Sequence, residues 1–486
     1  MNPFLALLEP LLLGAALLAV CLRGTPLRYK PLFFLAVSFP AGIGMCSLIL
    51  FAALLLGPAH AGIISTLLSL GLLLGLIKPL GIIPFLKDLL PVRNPLPLLP
   101  KIRPANFVDR QRWLQGLLLV ASIALFCVTL FAVIDFFLLS ASANVTGGWD
   151  ARYVWALKAK FMFRSTAEWQ GMFSSKLAGA HPNYPLLLPG AFAWGWHFLG
   201  RESLFWPPLV SLGLYLSCAF LLTWYLAASV SKIAGFLAGT FFLVLGPYLF
   251  WSIHQYADVP LAYFMTSCGL VLVVALRSEQ PRLFLISGFL GGLASWTKNE
   301  GLIFLLSIGL LLAGILCVKH QRNLGKSWGS FQSFLLGAAL PVLAVLILKC
   351  YLGTGNDYEW SKRPLLEHLS IALGEGPQKV PQVFKAFYTY TLASPAWKGL
   401  GLFFIAALVV AGLKKARIEN SFGWLPGAIV VLTNLGYALV LCVSPYDLNF
   451  QIETALERLL LHSGILAIAF CFEILTFVPK TPVTSQ

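Results

Sequence analysis

The sequence contains few charged residues, and this shortage defines the class of protein. Of its 486 residues only 11% are Asp, Glu, Lys or Arg, whereas 58% are hydrophobic. Soluble domains carry about 25% charged and about 45–50% apolar residues. The composition therefore excludes a soluble globular enzyme, a disordered chain and a small secreted domain held by disulfides. It leaves a polytopic α-helical membrane protein.

The sequence also lacks several motifs that mark metal-binding, disulfide-bonded or catalytic sites. The nine cysteines are an odd number and none belongs to a CxxC pair, so they indicate neither a metal site nor a disulfide framework. The sequence has no HExxH, no phosphate-binding Walker A loop and no dinucleotide-binding glycine pattern. The chemistry that remains available is that of carboxylates and cations.

Acidic residues are scarcer than basic residues. The 34 Lys and Arg against 19 Asp and Glu give a net charge of +15. In a soluble protein this balance would suggest nucleic acid, but no soluble domain is present to carry that function. Cytoplasmic loops of membrane proteins collect Lys and Arg. We therefore predict membrane lipid as a partner and no nucleic acid.

Long apolar runs fill most of the chain. A membrane-spanning helix needs about 20 mainly apolar residues, which predicts an all-α polytopic bundle of about 11–13 transmembrane helices with external juxtamembrane helices. The segments 283–297 and 301–318 are short and glycine-rich, so they fit either two spans or one broken helix. The candidate spans are 4–22, 32–56, 60–80, 113–140, 203–229, 233–253, 259–277, 283–297, 301–318, 331–349, 397–413, 422–445 and 453–476.

Basic residues predict which loops lie on which side of the membrane, and prolines predict where the chain divides into two parts. When the candidate spans are threaded in order, the Lys and Arg clusters fall on one side, which predicts the cytoplasm and an external N-terminus. A proline-rich linker at 91–104 separates N-terminal helices in 1–100 from a body in 101–486. The longest external loops are then 141–202 and 350–396.

The end of the first external loop is apolar and rich in tryptophan. Residues 185–200 have the sequence PLLLPGAFAWGWHFLG. We predict an interfacial helix here, with Trp194, Trp196 and Trp206 in an aromatic belt at the level of the lipid headgroups.

Ionisable residues collect at the predicted external ends of the helices. Such residues at membrane depth are costly and usually functional, and scattered polar residues on one side of a bundle indicate one shared cavity. A carboxylate can accept a proton from a hydroxyl, and Arg or Lys can hold a phosphate. The catalytic candidates are Asp150, Asp258 and Glu300, and the substrate-binding candidates are His181, Tyr184, Tyr256, Lys298 and Arg458.

A divalent cation stays an open question. Carboxylates also bind hard cations such as Mg²⁺ or Mn²⁺. If the site uses a metal, Asp150 is the candidate ligand. Carboxylate, cation and membrane together suggest transfer of a group from a lipid phosphate to a hydroxyl.

Most of residues 113–476 resemble membrane glycosyltransferases of the GT-C superfamily. The similarity is to the family 39-like group that includes protein O-mannosyltransferases and the aminoarabinose transferase. GWDARYVWALKAK follows a long apolar helix, as the family's first external loop does, and HPNYPLLLP resembles the element that closes that loop. QYADVPLAYF and SWTKNEGLIF resemble the next external turns, and TALERLLLH resembles the closing helix.

The resemblance implies a lipid-linked donor and inverting transfer. The donor would be a polyprenyl-phosphate sugar, and the acceptor a hydroxyl on a glycan, lipid or protein at the external face of a bacterial plasma membrane. Asp150 aligns with the family's loop carboxylate, which activates the acceptor or helps to hold a metal. Asn183 stands where relatives often have Asp, and Asn cannot act as a base at neutral pH. A base or metal role at that position is therefore unsupported.

Structural roles compete with each of these assignments. Asp150 and Asp258 can each cap a following helix. Lys298 and Glu300 can form a structural ion pair, and Arg458 can pair with a carboxylate on its own helix instead of a phosphate.

Three other functions are compatible with the pattern. A secondary transporter or lipid flippase would place ionisable groups near the midplane and often contain inverted repeats. An O-antigen ligase or polymerase would use a diphosphate-linked donor. A non-catalytic assembly subunit would not depend on Asp150.

Overall fold

The computed structural model describes residues 3–80, 109–164, 166–319, 324–352, 370, 373–413, 422–444 and 446–476. Within these residues all regular structure is helical. The predicted linker at 91–104 and much of the predicted loop 350–396 lie outside the described residues.

The helices are numbered here in chain order. The first nine are α1 (Leu8–Cys21), α2 (Lys30–Leu56), α3 (Ala61–Leu80), α4 (Asp109–Ala143), α5 (Leu157–Arg164), α6 (Leu187–Leu199), α7 (Trp206–Ser229), α8 (Lys232–Leu243) and α9 (Gly246–Ile253). The others are α10 (Asp258–Ser278), α11 (Pro281–Thr297), α12 (Asn299–Lys319), α13 (Leu324–Leu346), α14 (Gly376–Thr391), α15 (Leu400–Leu413), α16 (Leu425–Val443) and α17 (Leu448–Leu475). A π-helical segment, Ala151–Ala156, leads into α5, and another, Ile452–Leu456, lies within α17.

The protein is an integral membrane protein with many spans. Among the described residues, nine helices are long and apolar enough to cross a membrane, and a tenth span results if α8 and α9, bent by 56° at their junction, are taken together. The sequence predicted about 11–13 spans. The extra candidates are α1 and α15, with 14 residues each, and α11, with 17. An apolar window does not reveal where a helix ends inside it.

Helices α11 and α12 are two separate helices joined at Lys298. This residue has an extended backbone, with φ −150° and ψ 163°. A Cβ at Gly301 would lie 1.9 Å from the carbonyl oxygen of Ala294, and a Cβ at Gly291 would lie 3.0 Å from Leu305. Residues on either side of Lys298 therefore face each other, and the chain folds back there. Of the two arrangements that the sequence allowed, the hairpin is the one observed.

The N-terminal helices share their core with the rest of the bundle. The Tyr263 hydroxyl on α10 donates to the carbonyl of Ala36 on α2 at 2.8 Å. Ser47, also on α2, donates to the carbonyl of Leu186 at 3.1 Å and accepts from the Trp296 indole at 3.1 Å. Helix α2 is thus an internal element of the bundle, held by hydrogen bonds to at least three others.

Two of the central helices carry charges at both of their ends. Helix α10 begins at Asp258 and has Arg277 in its last turn, and α17 has Arg458 near one end and Glu473 near the other. We call the end that contains Asp258 and Arg458 the site end, and the opposite end the basic end. The basic end also contains Arg23, Arg28, Lys232, Arg282 and Lys319.

The prediction of an interfacial tryptophan belt is wrong for helix α6 and its neighbourhood. Trp194 and Trp206 are fully buried, and Trp196 is nearly so. The Trp206 indole donates to the carbonyl of Ala191 at 3.0 Å, and the Trp196 indole donates to that of Ser203 at 3.0 Å. Internal carbonyls thus satisfy indole groups that an interfacial belt would present to headgroups.

Candidate active site

A glycine-containing turn places Asp150 at the site end. Gly147 has φ +69°, and a Cβ on Gly148 would lie 2.5 Å from the ring of Tyr256. The amide of Gly148 donates to the carbonyl of His254 at 3.0 Å, which ties this turn to the end of α9. Glycine is needed here because of the positive φ at Gly147 and the close approach of the Tyr256 ring at Gly148.

Asp150 does not cap the helical segment that follows it. Its Oδ2 instead accepts a hydrogen bond from Arg458 Nη1 at 2.7 Å, across 308 residues of sequence. The Asp150 side chain is 23% exposed. Burial raises the pKa of Asp150, and the positive charge of Arg458 opposes that rise without cancelling it. The structure therefore contains a partly accessible carboxylate that binds a proton more readily than an ordinary aspartate.

Aromatic rings hold Arg458 in this position. Its guanidinium lies 5.7 Å from the ring centroid of Trp251 and 5.3 Å from that of Tyr256. The neighbouring Glu457 accepts from the Trp251 indole at 3.1 Å and does not pair with Arg458. Arg458 therefore faces Asp150, and a flat cation stacked on rings keeps a defined direction.

Asp258 has the same chemistry as Asp150 but quite different surroundings. It is 2% exposed, and its Oδ1 accepts from Lys298 Nζ at 2.9 Å and from His462 Nε2 at 3.2 Å. Its Oδ2 lies 3.8 Å from Arg458 Nη1. Because cations and donors surround it, Asp258 is suited to hold other groups in place and is poorly suited to accept a proton from a substrate.

Lys298 is the centre of this buried pairing. Its ammonium lies 3.2 Å from Glu300 Oε1 as well as 2.9 Å from Asp258. Burial lowers the pKa of Lys298, but the two carboxylates outweigh burial and raise it above its usual value. The ammonium is thus fully charged at neutral pH and already neutralised by its partners.

An aromatic stack forms the wall beside Lys298. The ring of Tyr184 is nearly parallel to that of His181 at 4.7 Å and to that of Trp155 at 5.8 Å. Lys298 Nζ lies 5.8 Å from the Tyr184 ring centroid. Lys158 donates to the backbone carbonyl of His181 at 2.6 Å. This wall fixes the segment that follows α5 against the charged cluster.

The eight residues nominated from the sequence lie at this one end, at different distances from its centre. Tyr256 and Tyr184 flank the charged network through their rings, and His181 stacks on Tyr184. The charged network itself consists of Asp150, Asp258, Lys298, Glu300 and Arg458.

The sequence did not single out His462 and Trp251, which contact this network, or Tyr437, which bonds to His462. His462 is fully buried and bonds to Asp258, and its Nδ1 lies 2.7 Å from the Tyr437 hydroxyl. Trp251 stacks on Arg458. A single His or aromatic residue in an apolar helix looks like a core residue. The available signal was the spacing of Arg458 and His462, because residues four apart share one face of a helix.

An apolar groove runs along helix α17. Its volume is about 480 Å³, and helices α14 to α17 line it. Phe384, Asn434, Leu460 and Gly464 are among the lining residues. Leu460 follows Arg458 by two positions, so the groove runs along the same helix that presents the guanidinium.

The donor set at the site does not fit a divalent cation. Within the described residues no group of three or more His, Cys, Asp or Glu converges as metal ligands would. Asp150 and Asp258 are each bonded to a guanidinium or an ammonium. Mg²⁺ is commonly bound through one or two carboxylates plus waters and phosphates, and here both candidate carboxylates are already paired with protein cations.

Fold and site together define an all-helical, polytopic membrane protein with a charged cluster at one end of its bundle. Comparison of the chain with protein-family models, with curated proteins and with solved structures gives no match.

Proposed function

We propose that the protein is an integral membrane glycosyltransferase. It moves a sugar, with inversion, from a polyprenyl-phosphate donor to a hydroxyl on a glycan, lipid or protein. The observation that carries this proposal is the partly exposed Asp150–Arg458 pair, with an N–O distance of 2.7 Å, on a helix that also lines an apolar groove of about 480 Å³.

Arg458 is the candidate ligand of the donor phosphate. A guanidinium can give two parallel hydrogen bonds to a phosphate, and that of Arg458 is held by the rings of Trp251 and Tyr256. The apolar groove beside it would take part of the polyprenyl chain. Lys298 was nominated for the same task, but its two carboxylate partners and its burial favour a supporting role.

Asp150 is the candidate general base. One of its oxygens accepts from Arg458, and the other is the candidate proton acceptor. The acceptor hydroxyl gives its proton to Asp150, and its oxygen forms a bond to the anomeric carbon. The bond from that carbon to the phosphate oxygen breaks, and its electron pair leaves with the phosphate. Arg458 stabilises the polyprenyl phosphate that departs.

The proposed orientation places the site end outside. Cytoplasmic loops are enriched in Lys and Arg, and the opposite end of the bundle contains Arg23, Arg28, Arg282 and Lys319. The site would then face the exterior of a bacterial plasma membrane, where polyprenyl-linked sugars meet their acceptors.

A secondary transporter is the second candidate. The buried Asp258–Lys298–Glu300 cluster favours it, because buried ionisable groups in membrane helices often mark ion or substrate pathways. Transport predicts that a substrate crosses the membrane without covalent change, whereas transfer predicts release of polyprenyl phosphate.

The test is donor turnover by purified protein in lipid nanodiscs. A panel of undecaprenyl-phosphate sugars is offered with mixed acceptors, and release of undecaprenyl phosphate is measured. We expect wild type to turn over at least one donor and Asp150→Asn to be slower by about 10²–10⁴-fold, the usual contribution of a general base. Glu453→Gln is the matched control, since Glu453 is an exposed acid on α17.

Two results would count against the proposal. Equal turnover by wild type and Asp150→Asn would remove the carboxylate from the mechanism. Movement of a sugar lipid across the bilayer without release of undecaprenyl phosphate would support the transporter instead.

A further inference from the structure

Asp258 is close enough to Arg458 to compete with Asp150 for it. The distance from Arg458 Nη1 is 3.8 Å to Asp258 Oδ2 and 2.7 Å to Asp150 Oδ2. Asp258 is the more deeply buried of the two carboxylates, so an extra cationic partner would stabilise it more. Some feature of the structure must therefore satisfy Asp258 without Arg458.

His462 and Tyr437 supply that feature. Asp258 Oδ1 accepts at 3.2 Å from His462 Nε2, which must then carry the ring proton. Nδ1 of the same ring is left as an acceptor, and the Tyr437 hydroxyl donates to it at 2.7 Å. Both ring nitrogens are used, and the second bond fixes the tautomer that the first requires.

We propose that His462 and Tyr437 are positioning residues. They hold Asp258 turned toward Lys298, and so keep the guanidinium of Arg458 on Asp150 and open to an anionic ligand. This inference rests on the proposed function only for the identity of that ligand. The other charged groups that face Asp258 are Lys298 and Arg458, with Glu300 bonded to Lys298 behind them.

Loss of the imidazole N–H has a definite consequence. Asp258 would lack one of its donors while staying buried, and Arg458 is the next donor within reach. As Arg458 moves toward Asp258, Asp150 loses the cation that is bonded to it, while the negative charge of Asp258 still acts to raise its pKa and the positive charge of Lys298 to lower it. Asp150 would then hold its proton to higher pH, and an anionic ligand would meet a guanidinium that is already neutralised.

Four variants test whether His462 and Tyr437 position Asp258 or only pack in the core. His462→Leu removes both hydrogen bonds, and Tyr437→Phe removes the outer one. His462→Gln can restore both, because its amide has a donor and an acceptor at a similar spacing. Tyr248→Phe is the matched control, since the Tyr248 hydroxyl is buried and donates to the carbonyl of Leu461 on the same helix at 2.6 Å.

The primary readout is the protonation of Asp150, which needs no substrate. An apolar carbodiimide reacts with protonated carboxyls, and labelling of the Asp150 peptide is followed by mass spectrometry across pH. We expect the midpoint to rise by about one pH unit in His462→Leu, as expected when a carboxylate loses a cation. A smaller rise is expected in Tyr437→Phe, and none in His462→Gln or Tyr248→Phe.

The proposal fails if the midpoint is unchanged in folded His462→Leu, or if Tyr248→Phe shifts it equally. If His462→Leu does not fold, Tyr437→Phe against Tyr248→Phe decides the same question: a shift confined to the first supports the proposal, and no shift overturns it.

Ligand binding supplies the second readout. Undecaprenyl phosphate and undecaprenol are titrated separately into nanodiscs that contain wild type or His462→Leu. We expect the variant to bind the phosphate at least about tenfold more weakly and the alcohol equally well, since only the phosphate needs the guanidinium. Equal weakening of both would indicate a packing defect and overturn the proposal. A wild type that binds no undecaprenyl phosphate would count against the proposed function, and the Asp150 midpoint would still decide the positioning role.

Discussion

Two aspartates at the site end have identical side chains but different surroundings, which suit them to different roles. Asp150 is 23% exposed and has one cationic partner at 2.7 Å, whereas Asp258 is 2% exposed and bonded to both Lys298 and His462. A base needs an accessible oxygen and a pKa near the working pH. Asp150 has the accessible oxygen and a pKa raised by burial, so of the two aspartates it is the better candidate for the base, and Asp258 is better suited to a supporting role.

The pH dependence of turnover follows from Asp150. Burial raises its pKa, so the base becomes active only as pH rises through that raised value, and activity is lost as pH falls. We expect the acid limb of kcat/KM to lie above about 3.9, the value for a solvated aspartate. A profile of kcat/KM from pH 4 to 9 tests this prediction. A flat profile down to about pH 4 would show that the pKa of Asp150 is not raised.

Part of this site could be predicted from the sequence and part could not. Asp150, Asp258 and Arg458 stand out because charge is rare in an apolar chain. His462 and Tyr437 did not, because their roles depend on partners 204 and 25 residues away. The local sequence pattern cannot distinguish a buried histidine that bonds to a carboxylate from a buried histidine that only packs in the core.

At the scale of elements, the hairpin of α11 and α12 is what brings Lys298 to the site. The helix ends at Thr297, Lys298 is extended, and the next helix begins at Asn299. The two helices approach closely at Gly301, where any side chain would meet the backbone of Ala294. The sequence showed the glycines and the short apolar runs, but only the contacts across the hairpin distinguish it from one broken helix.

Gly301→Ala is expected to destabilise this hairpin. Its Cβ would lie 1.9 Å from the Ala294 carbonyl oxygen, so backbone must shift, at a cost of about 1–3 kcal/mol. Gly314→Ala on the same helix is the control, because nothing lies within 4 Å of its Cβ. Thermal unfolding in detergent measures both; an equal melting temperature for Gly301→Ala and wild type would contradict the close packing.

For the molecule as a whole, charge is arranged at both ends of the same helices. Opposite the site, Arg277 on α10 pairs with Glu473 on α17, and the Tyr225 hydroxyl of α7 donates to Glu473 at 2.6 Å. All of these groups are buried. This second cluster joins three central helices and has no contact with the site, so we assign it to stability.

Replacing only Arg277 of this ion pair is expected to lower the stability of the protein more than replacing both residues. Arg277→Met leaves a buried carboxylate without its cation, a loss of about 3–5 kcal/mol, whereas a double change to Arg277→Met and Glu473→Met removes both charges. The melting temperature of the single variant should therefore fall below that of the double variant. A double variant that is less stable than the single one would show that the pair stabilises the fold beyond mutual neutralisation.

The two ends also give the central claim its most direct test. Both ends carry basic residues, and an anionic lipid can in principle bind at either. The measurement is an experimental structure of the protein with undecaprenyl phosphate in nanodiscs. We predict the phosphate at about 2.8 Å from the guanidinium of Arg458, the usual length of such a hydrogen bond, and the chain in the groove of α14 to α17. A phosphate bound at Arg282 and Arg23 on the basic end, with the Asp150–Arg458 pair unaltered, would contradict the account.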